Sequence, residues 1–229
     1  MNNIILCGYR SWSFEIFEQV SNHSKINVIK KFNSNDEFVN GIKNFSPDSV
    51  DFILFIGWSW IIESSITQKY LCLGIHPSDL PLFRGGSPLQ HQIISGIKQT
   101  KVTLMTLSDE KIDAGDIWLK EDLDLLGDSM SEVFKNIVNS TVRLLTIFFD
   151  TYPNILADSQ EIERGTYFKR RKPSEGKITI EDFQNRSLEQ NYNFIRCLTD
   201  PYPNAYIEDN LGNKLFFTGV KFVSSKENN

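Results

Sequence analysis

The chain has 229 residues, 40% of them apolar and 23% charged, with a formal net charge of −5. The apolar share is enough for a sizeable core, and the acidic balance argues against a surface built to grip nucleic acid, which draws on Lys and Arg to neutralise phosphates; one or two phosphates need only a local basic cluster. Cys7, Cys72 and Cys197 are too widely spaced for a metal-ligand pair or a framework of bridges, so they read as small buried hydrophobes suited to a reducing compartment.

The N-terminus, MNNIILCGYR, has no basic segment ahead of an apolar one, so it is not read as a signal peptide. No window approaches the ~20 apolar residues of a membrane span, and a cytoplasmic protein with no membrane partner is expected. Asn3 to Cys7 reads as a buried first strand ending at Gly8. Trp12, Phe14, Ile16, Phe17 and Val20 recur at helical spacing. Ile26 to Phe32 is a second strand, and Asn33-Ser34 is placed to cap a helix through Phe38, Val39 and Ile42. Asp51 to Ile56 is a third strand, Trp60 to Ser65 a short helix, and Tyr70 to Ile75 a fourth strand. Pro77 to Pro88 is a loop dense in turn formers, followed by a helix from Leu89 to Ser95 and a strand from Thr100 to Leu107. After a Gly-containing loop at Lys111 to Asp116, Ile117 to Leu119 resumes a strand. Ser129 to Phe149 carries a clear apolar stripe and reads as the longest helix.

Strand and helix alternating at this spacing predict an α/β fold with a mostly parallel, Rossmann-like sheet. Ligands of such sheets bind outside the carboxyl ends of the strands, which puts Gly57 to Trp60 and Gly74 to Pro88 on the functional edge. Turn formers and charges dominate after about Ala157. A helix from Leu188 to Cys197 follows, then a Pro-rich turn and two strand-like runs, Ala205 to Glu208 and Lys214 to Val223. The expected organisation is a main domain over residues 1–157 and a small C-terminal α+β subdomain over 158–229.

Of the three histidines, His23 lies in a surface turn and His91 on a helix, and neither is given a role. His76 follows a buried strand and precedes Pro77 at the functional edge. An imidazole can take and return a proton near neutrality, and it works best beside a carboxylate. Asp79, Asp113 and Asp116 are the candidates. Read alone, Asp113-Ala114-Gly115-Asp116 is also an ordinary turn sequence.

Taken together, these segments form a recognisable pattern. Gly74-Ile75-His76-Pro77-Ser78-Asp79-Leu80-Pro81-Leu82-Phe83-Arg84-Gly85-Gly86-Ser87-Pro88, then Lys101-Val102-Thr103, then Asp113-Ala114-Gly115-Asp116, closely resembles the signature of the folate-dependent formyltransferases. Phe168 to Pro173 and Ile195 to Ala205 resemble the C-terminal region of sugar formyltransferases.

The resemblance implies the formyltransferase fold and N10-formyltetrahydrofolate as cosubstrate, with no metal. It implies His76 and Asp113 as catalytic residues. Trp58, Ser59, Trp60, Ile61, Gly74, Asp113, Ala114, Gly115 and Asp116 are implied to frame the folate. Ser78, Arg84, Gly85, Gly86, Ser87, Gln90, Arg170 and Arg171 are implied to hold the acceptor. The Arg84 to Gln90 segment resembles that of pseudaminic-acid-pathway enzymes, so the expected acceptor is a nucleotide-linked 4-amino-4,6-dideoxy sugar, UDP favoured, made for a surface glycan. No nucleic-acid partner is expected, and the family implies a homodimer. A methionyl-tRNA formyltransferase-like enzyme is the alternative, set behind because it calls for a basic RNA-binding surface and a larger C-terminal domain. A non-catalytic folate- or nucleotide-sugar-binding homologue is a further alternative, motivated by one departure: the family has Asn where this chain has Gly74. Losing one oxyanion donor typically costs roughly 2.7–4 kcal/mol of transition-state stabilisation.

Overall fold

The structure, a computed structural model, describes residues 1–108 and 111–224; residues 225–229 of the expected C-terminal subdomain lie outside the described residues. In chain order the first half contains β1 (Asn2–Cys7), α1 (Ser11–Val20), β2 (Ile26–Phe32), α2 (Asn35–Gly41), β3 (Phe52–Phe55), α3 (Ser64–Thr67), β4 (Cys72–His76), β5 (Arg84–Gly85) and α4 (Pro88–Ile94). The second half contains β6 (Gln99–Thr106), β7 (Ile117–Asp124), α5 (Met130–Thr151), β8 (Tyr167–Phe168), α6 (Ile180–Asn185), α7 (Leu188–Arg196), β9 (Ala205–Glu208) and β10 (Lys214–Phe217).

Six strands form one sheet in the order β2-β1-β3-β4-β6-β7. The first four of these run parallel, while β6 is antiparallel to both of its neighbours, β4 and β7. The expected α/β fold with a mostly parallel sheet is therefore present. Parallel strands are covered on both faces, which is why β1 and β3 read as unbroken apolar runs.

Side chains alternate between the faces. Ile4, Leu6, Leu54 and Leu73 enter one core with the apolar stripes of α1 and α5. Ile5, Cys7, Ile53, Phe55 and Cys72 enter a second core with Phe38, Ile42, Ile62 and Ile66. Ile178, Phe194, Ile195, Cys197, Leu198 and Ala205, all from the C-terminal segment, belong to the first of these cores.

Three predicted elements need correction. The helix expected over Trp60 to Ser65 is replaced by an irregular segment, with only Ser64–Thr67 helical. Ile62 and Ile66 are buried there, but Trp60 and Ile61 face outward, so no continuous apolar stripe holds a longer helix. The strand resumed at Ile117 runs on to Asp124, because its outer face pairs charged side chains across the edge, including Lys101 with Asp122. The last strand stops at Phe217, where its pairing with β9 ends.

Phe148 of α5 is fully buried and meets Phe52, Trp118 and Tyr152. Phe148→Ala should cost about 3–5 kcal/mol of stability. Urea denaturation should show this as a lower midpoint at unchanged slope.

Candidate functional site

Because β1, β3 and β4 are parallel, their carboxyl ends share one edge of the sheet. His76 is the last residue of β4 and is 6% exposed. It sits opposite Thr103 of β6, and two positions earlier Gly74 sits opposite Met105. Alternation puts Gly74 and His76 on the face of the second core, with Cys72.

Beyond β6 the chain turns back and delivers Asp113 to His76, with 3.4 Å between Nδ1 and Oδ2. The same Oδ2 accepts the Gly85 N–H at 2.8 Å. On the other side of the ring, Nε2 lies 2.9 Å from the Phe83 carbonyl. A carbonyl oxygen only accepts, so Nε2 is the donor there. Asp113 (φ 53), Phe83 (φ 57) and Ser87 (φ 55) all adopt left-handed backbone conformations. Such strained residues cluster where surrounding structure holds a functional geometry in place.

The loop between β4 and α4 is fastened at many points. Thr103 Oγ1 donates to the Ser78 carbonyl and Ser78 Oγ to the Leu82 carbonyl, each at 2.7 Å. Lys120 of β7 holds Asp79 and the Leu80 carbonyl. Asp79 is thus engaged by a lysine and not by His76. β8 lies across the loop and pairs with β5. Its approach explains Gly85-Gly86: a Cβ on Gly85 would lie 2.2 Å from the Phe168 carbonyl oxygen, and one on Gly86 2.4 Å from Arg170 Cα. Ser87 Oγ accepts the Arg171 N–H at 3.1 Å. His91, given no role from sequence, stacks on Phe168 at 4.5 Å and bonds the Lys169 carbonyl at 3.1 Å, which also secures this crossing.

Among the residues implied for folate, Trp58 and Trp60 have ring centroids 5.0 Å apart. Tyr9, at the carboxyl end of β1, lies 4.6 Å from Trp60 and donates its hydroxyl to Ser59 Oγ at 2.7 Å. Trp60 is 42% exposed and Ile61 78%, whereas the Trp58 indole N–H is buried without a protein partner. Together these side chains make an aromatic shelf on the same edge as His76. Ala114 and Gly115 are half-buried in the Asp113 loop, and Asp116 is exposed with its carbonyl bonded to the Thr106 N–H at 2.8 Å.

Gly74 departs from the family pattern for a visible reason. A Cβ at this position would lie 2.6 Å from Leu107 Cδ2. Leu107 packs against the second core, so an apolar side chain fills the volume that a residue-74 side chain would need.

Among the residues implied for the acceptor, Gln90 is nearly fully buried. It hydrogen-bonds Tyr202, and its Oε1 lacks a protein partner. Burial pushes the Tyr202 phenol up from its ordinary acidity, while the Gln90 bond and the positive charges of Arg10 and Arg170 pull it back. Arg10, Arg170 and Tyr202 therefore share one charged neighbourhood. Arg10 also stacks over the Tyr9 ring at 4.5 Å. Arg171 instead turns into its own segment, bonding the Glu175 carbonyl at 2.5 Å and lying over Phe194. The Arg84 Nε is buried without a partner.

Several contributing residues were not identified from sequence. Tyr9 and Arg10 follow the first strand directly, so the carboxyl-edge rule applied to β1 would have found them. Lys120, Leu107, Tyr202 and Gln160 carry no local signal.

Other features lie apart from this edge. A cleft of about 310 Å³ is lined by residues including Asp122, Asn136 and Arg143, and one of about 430 Å³ by residues including Phe32, Glu37 and Phe45. None of the predicted site residues lines either, and neither places a base beside a carboxylate as His76 and Asp113 are placed. Burial raises the thiol pKa values, to about 12 for Cys72 and Cys197 and upward for Cys7, so all three behave as packing groups. Among the described residues no cluster of His, Cys, Asp and Glu could hold a metal ion, and no helix is long and apolar enough to cross a membrane.

Residues 10–143 match the family model described as formyl transferase. A methionyl-tRNA formyltransferase from Rickettsia africae (strain ESF-5) is 35% identical over 182 residues, covering 77% of this chain and 56% of that protein. The chain thus spans about half the length of the curated relatives it matches. The solved methionyl-tRNA formyltransferase from Clostridium thermocellum superposes with a TM-score of 0.79 at 34% identity, covering 92% of this chain and 89% of that one. HypX from Aquifex aeolicus in complex with tetrahydrofolic acid superposes at 0.75 with 19% identity, over 93% of this chain and 36% of that one, a likeness of fold.

These findings overturn the expected nucleotide-sugar acceptor and the expected lack of a nucleic-acid partner, since the relatives at 34–35% identity are named for methionyl-tRNA. The sugar expectation leaned on the resemblance of the Arg84 to Gln90 segment, and the nucleic-acid expectation on net charge, which averages over the surface.

The Leu107 contact at Gly74 yields a test. Gly74→Asn should destabilise the protein by about 1–3 kcal/mol through overpacking. Adding Leu107→Ala should recover part of that loss, seen by thermal or urea denaturation as non-additivity between touching sites.

Proposed function

This chain belongs to the formyl transferase family, and on that premise we propose that it moves a formyl group from N10-formyltetrahydrofolate to the amine of a methionyl-tRNA. The observation that carries this reading is the near end-to-end correspondence, at 34% identity, with a solved chain named methionyl-tRNA formyltransferase. The fold-level neighbour bound to tetrahydrofolic acid supports the donor.

The residues present suit both ligands. A flat heteroaromatic ring fits the shelf of Tyr9, Trp58 and Trp60, and the unpartnered Trp58 N–H can meet an acceptor atom on it. When bound, the folate supplies the formyl carbon as an electrophile. His76 takes the proton that the attacking amine must shed, because it is the imidazole at this edge with a carboxylate against it. To do so, the ring carries its proton on Nδ1, toward Asp113, and Nε2 turns a free lone pair from the Phe83 carbonyl to the amine. Asp113 holds the ring's orientation and balances the charge it acquires. The same proton is then available to the departing folate nitrogen as the carbon–nitrogen bond breaks. Gly74 offers no side-chain donor to the formyl oxygen, so that charge falls to His76 and to other donors on the same face. Arg10, which follows β1 and lies over the Tyr9 ring, and Arg170, which follows β8, are the cations assigned to a phosphate of the acceptor end of the RNA.

Incubation with N10-formyltetrahydrofolate and methionyl-tRNA should give a formylmethionyl product, about 28 Da heavier on methionine as one formyl group (CHO) replaces one amine hydrogen. His76→Ala and Asp113→Ala should each lower the rate by roughly 10²–10⁴-fold. Absence of product while folate still binds would sink the proposed reaction. Arg10→Ala should raise KM for the tRNA and make the slope of log affinity against log salt shallower by about 0.7–0.9, the share of one phosphate contact. An unchanged slope would remove Arg10 from the RNA-binding surface.

A further inference from the structure

We infer that Gln160 is a positioning residue that locks Asp113 into the conformation in which its carboxylate meets His76 and Gly85. Gln160 lies beyond residues 10–143, the part of the chain matched to the family. Its Nε2 donates to two backbone carbonyls of the Asp113 loop, that of Asp113 at 3.2 Å and that of Gly115 at 2.6 Å. Both partners only accept, so the amide must present its NH₂ to them. Its two hydrogens suffice for the two bonds, and its Oε1 is left buried without a partner. The side chain cannot drift, because its own segment is tied to the sheet. The Ile117 N–H donates to the Asp158 carbonyl at 2.8 Å, and the Asp158 N–H returns to Ile117 at 2.9 Å.

The loop so held has little alternative. Asp113 is in the left-handed region at φ 53, which a non-glycine residue keeps only under external constraint. Gly115 is pressed on the Thr106 carbonyl, where a Cβ would come within 2.0 Å. The two carbonyls caught by Gln160 belong to the strained residue and to the glycine two places on. The donor therefore sets the turn that raises the Asp113 carboxylate toward Gly85 N–H and His76 Nδ1. Gln160 does not touch the imidazole, and its effect passes through Asp113.

The test is Gln160→Glu, which keeps the side-chain shape but sets a carboxylate oxygen against the two carbonyls. Its first readout is independent of activity: hydrogen exchange of the Gly85 amide, which donates to Asp113 Oδ2. The Arg84 and Gly86 amides, bonded to Thr166 and Phe168 carbonyls, serve as internal references. Gly85 protection should fall about tenfold or more, as in Asp113→Ala, with Arg84 and Gly86 held within about threefold.

The second readout rests on the formyl-transfer reading. There kcat should fall by about tenfold or more at nearly unchanged KM for the folate, as expected when a reacting group is misplaced. In an Asp113→Ala background, Gln160→Glu should add no further loss. Unchanged Gly85 protection, or equal loss of protection at Arg84 and Gly86, would overturn the inference, and so would a full additional loss of rate in the Asp113→Ala background. If the native protein transfers no formyl group, the proposed function fails, while the exchange measurement still decides the role of Gln160.

Discussion

One carboxylate oxygen organises the functional edge. Asp113 Oδ2 accepts the Gly85 N–H and faces His76 Nδ1, which joins the end of β4, the loop before α4 and the loop after β6. Each partner has its own anchorage. Gly85 is pinned by β8, which comes from far along the chain and requires glycine at both positions it crosses. Phe83, in a left-handed conformation and tied to Thr166 at 2.8 Å, turns its carbonyl onto His76 Nε2. The imidazole is therefore held on both nitrogens by backbone and carboxylate groups that are themselves fixed. Proton-transfer groups need this preorganisation, since small misplacements cost large factors in rate.

The same edge shows an exchange of polarity. Where the family pattern has a side-chain amide, this chain has Gly74, and Leu107 occupies the adjoining space. A buried amide needs partners for all its polar atoms or it costs free energy. A leucine packed on the second core needs none. Residues 74 and 107 thus form a coupled pair, and a substitution at one is felt at the other. On the proposed function, the side-chain donor absent at 74 raises the weight placed on the Asp113–His76 geometry.

Much of this was legible in the sequence because it is local. Unbroken apolar runs marked β1 and β3, and the turn-rich stretch from Pro77 to Pro88 marked the loop at the sheet edge. His76 and Asp113 stood out through position and residue type, and the structure brings them together. What was not legible depends on contacts between distant segments. Gln160 reaches back 47 residues to Asp113, and Lys120 reaches Asp79 across 41. Neither shows a pattern in its own neighbourhood. The short helix at Ser64–Thr67 was misjudged because a run of apolar residues was taken for a stripe, although Trp60 and Ile61 face outward. Arg171, implied by the resemblance, bonds the Glu175 carbonyl of its own segment and keeps a buried Nε without a partner.

The expected absence of a nucleic-acid partner was a misjudgement with a physical cause. A net charge of −5 is a sum over the whole chain, whereas the grip on an RNA end is set by the few cations within a Debye length of the phosphates, about 10 Å at 0.1 M salt. Chemistry at a single terminal amine asks for orientation of one end of the RNA, not for a long tract of backbone contacts. On the proposed function, Arg10, which follows β1 and lies over the Tyr9 ring, is a cation suited to that demand. The acidic remainder of the surface then disfavours non-specific binding elsewhere on the RNA, since each uncompensated phosphate is repelled and not neutralised. The low overall charge and a local cation at the sheet edge then act together: one limits where RNA can rest, and the other marks the place where it does.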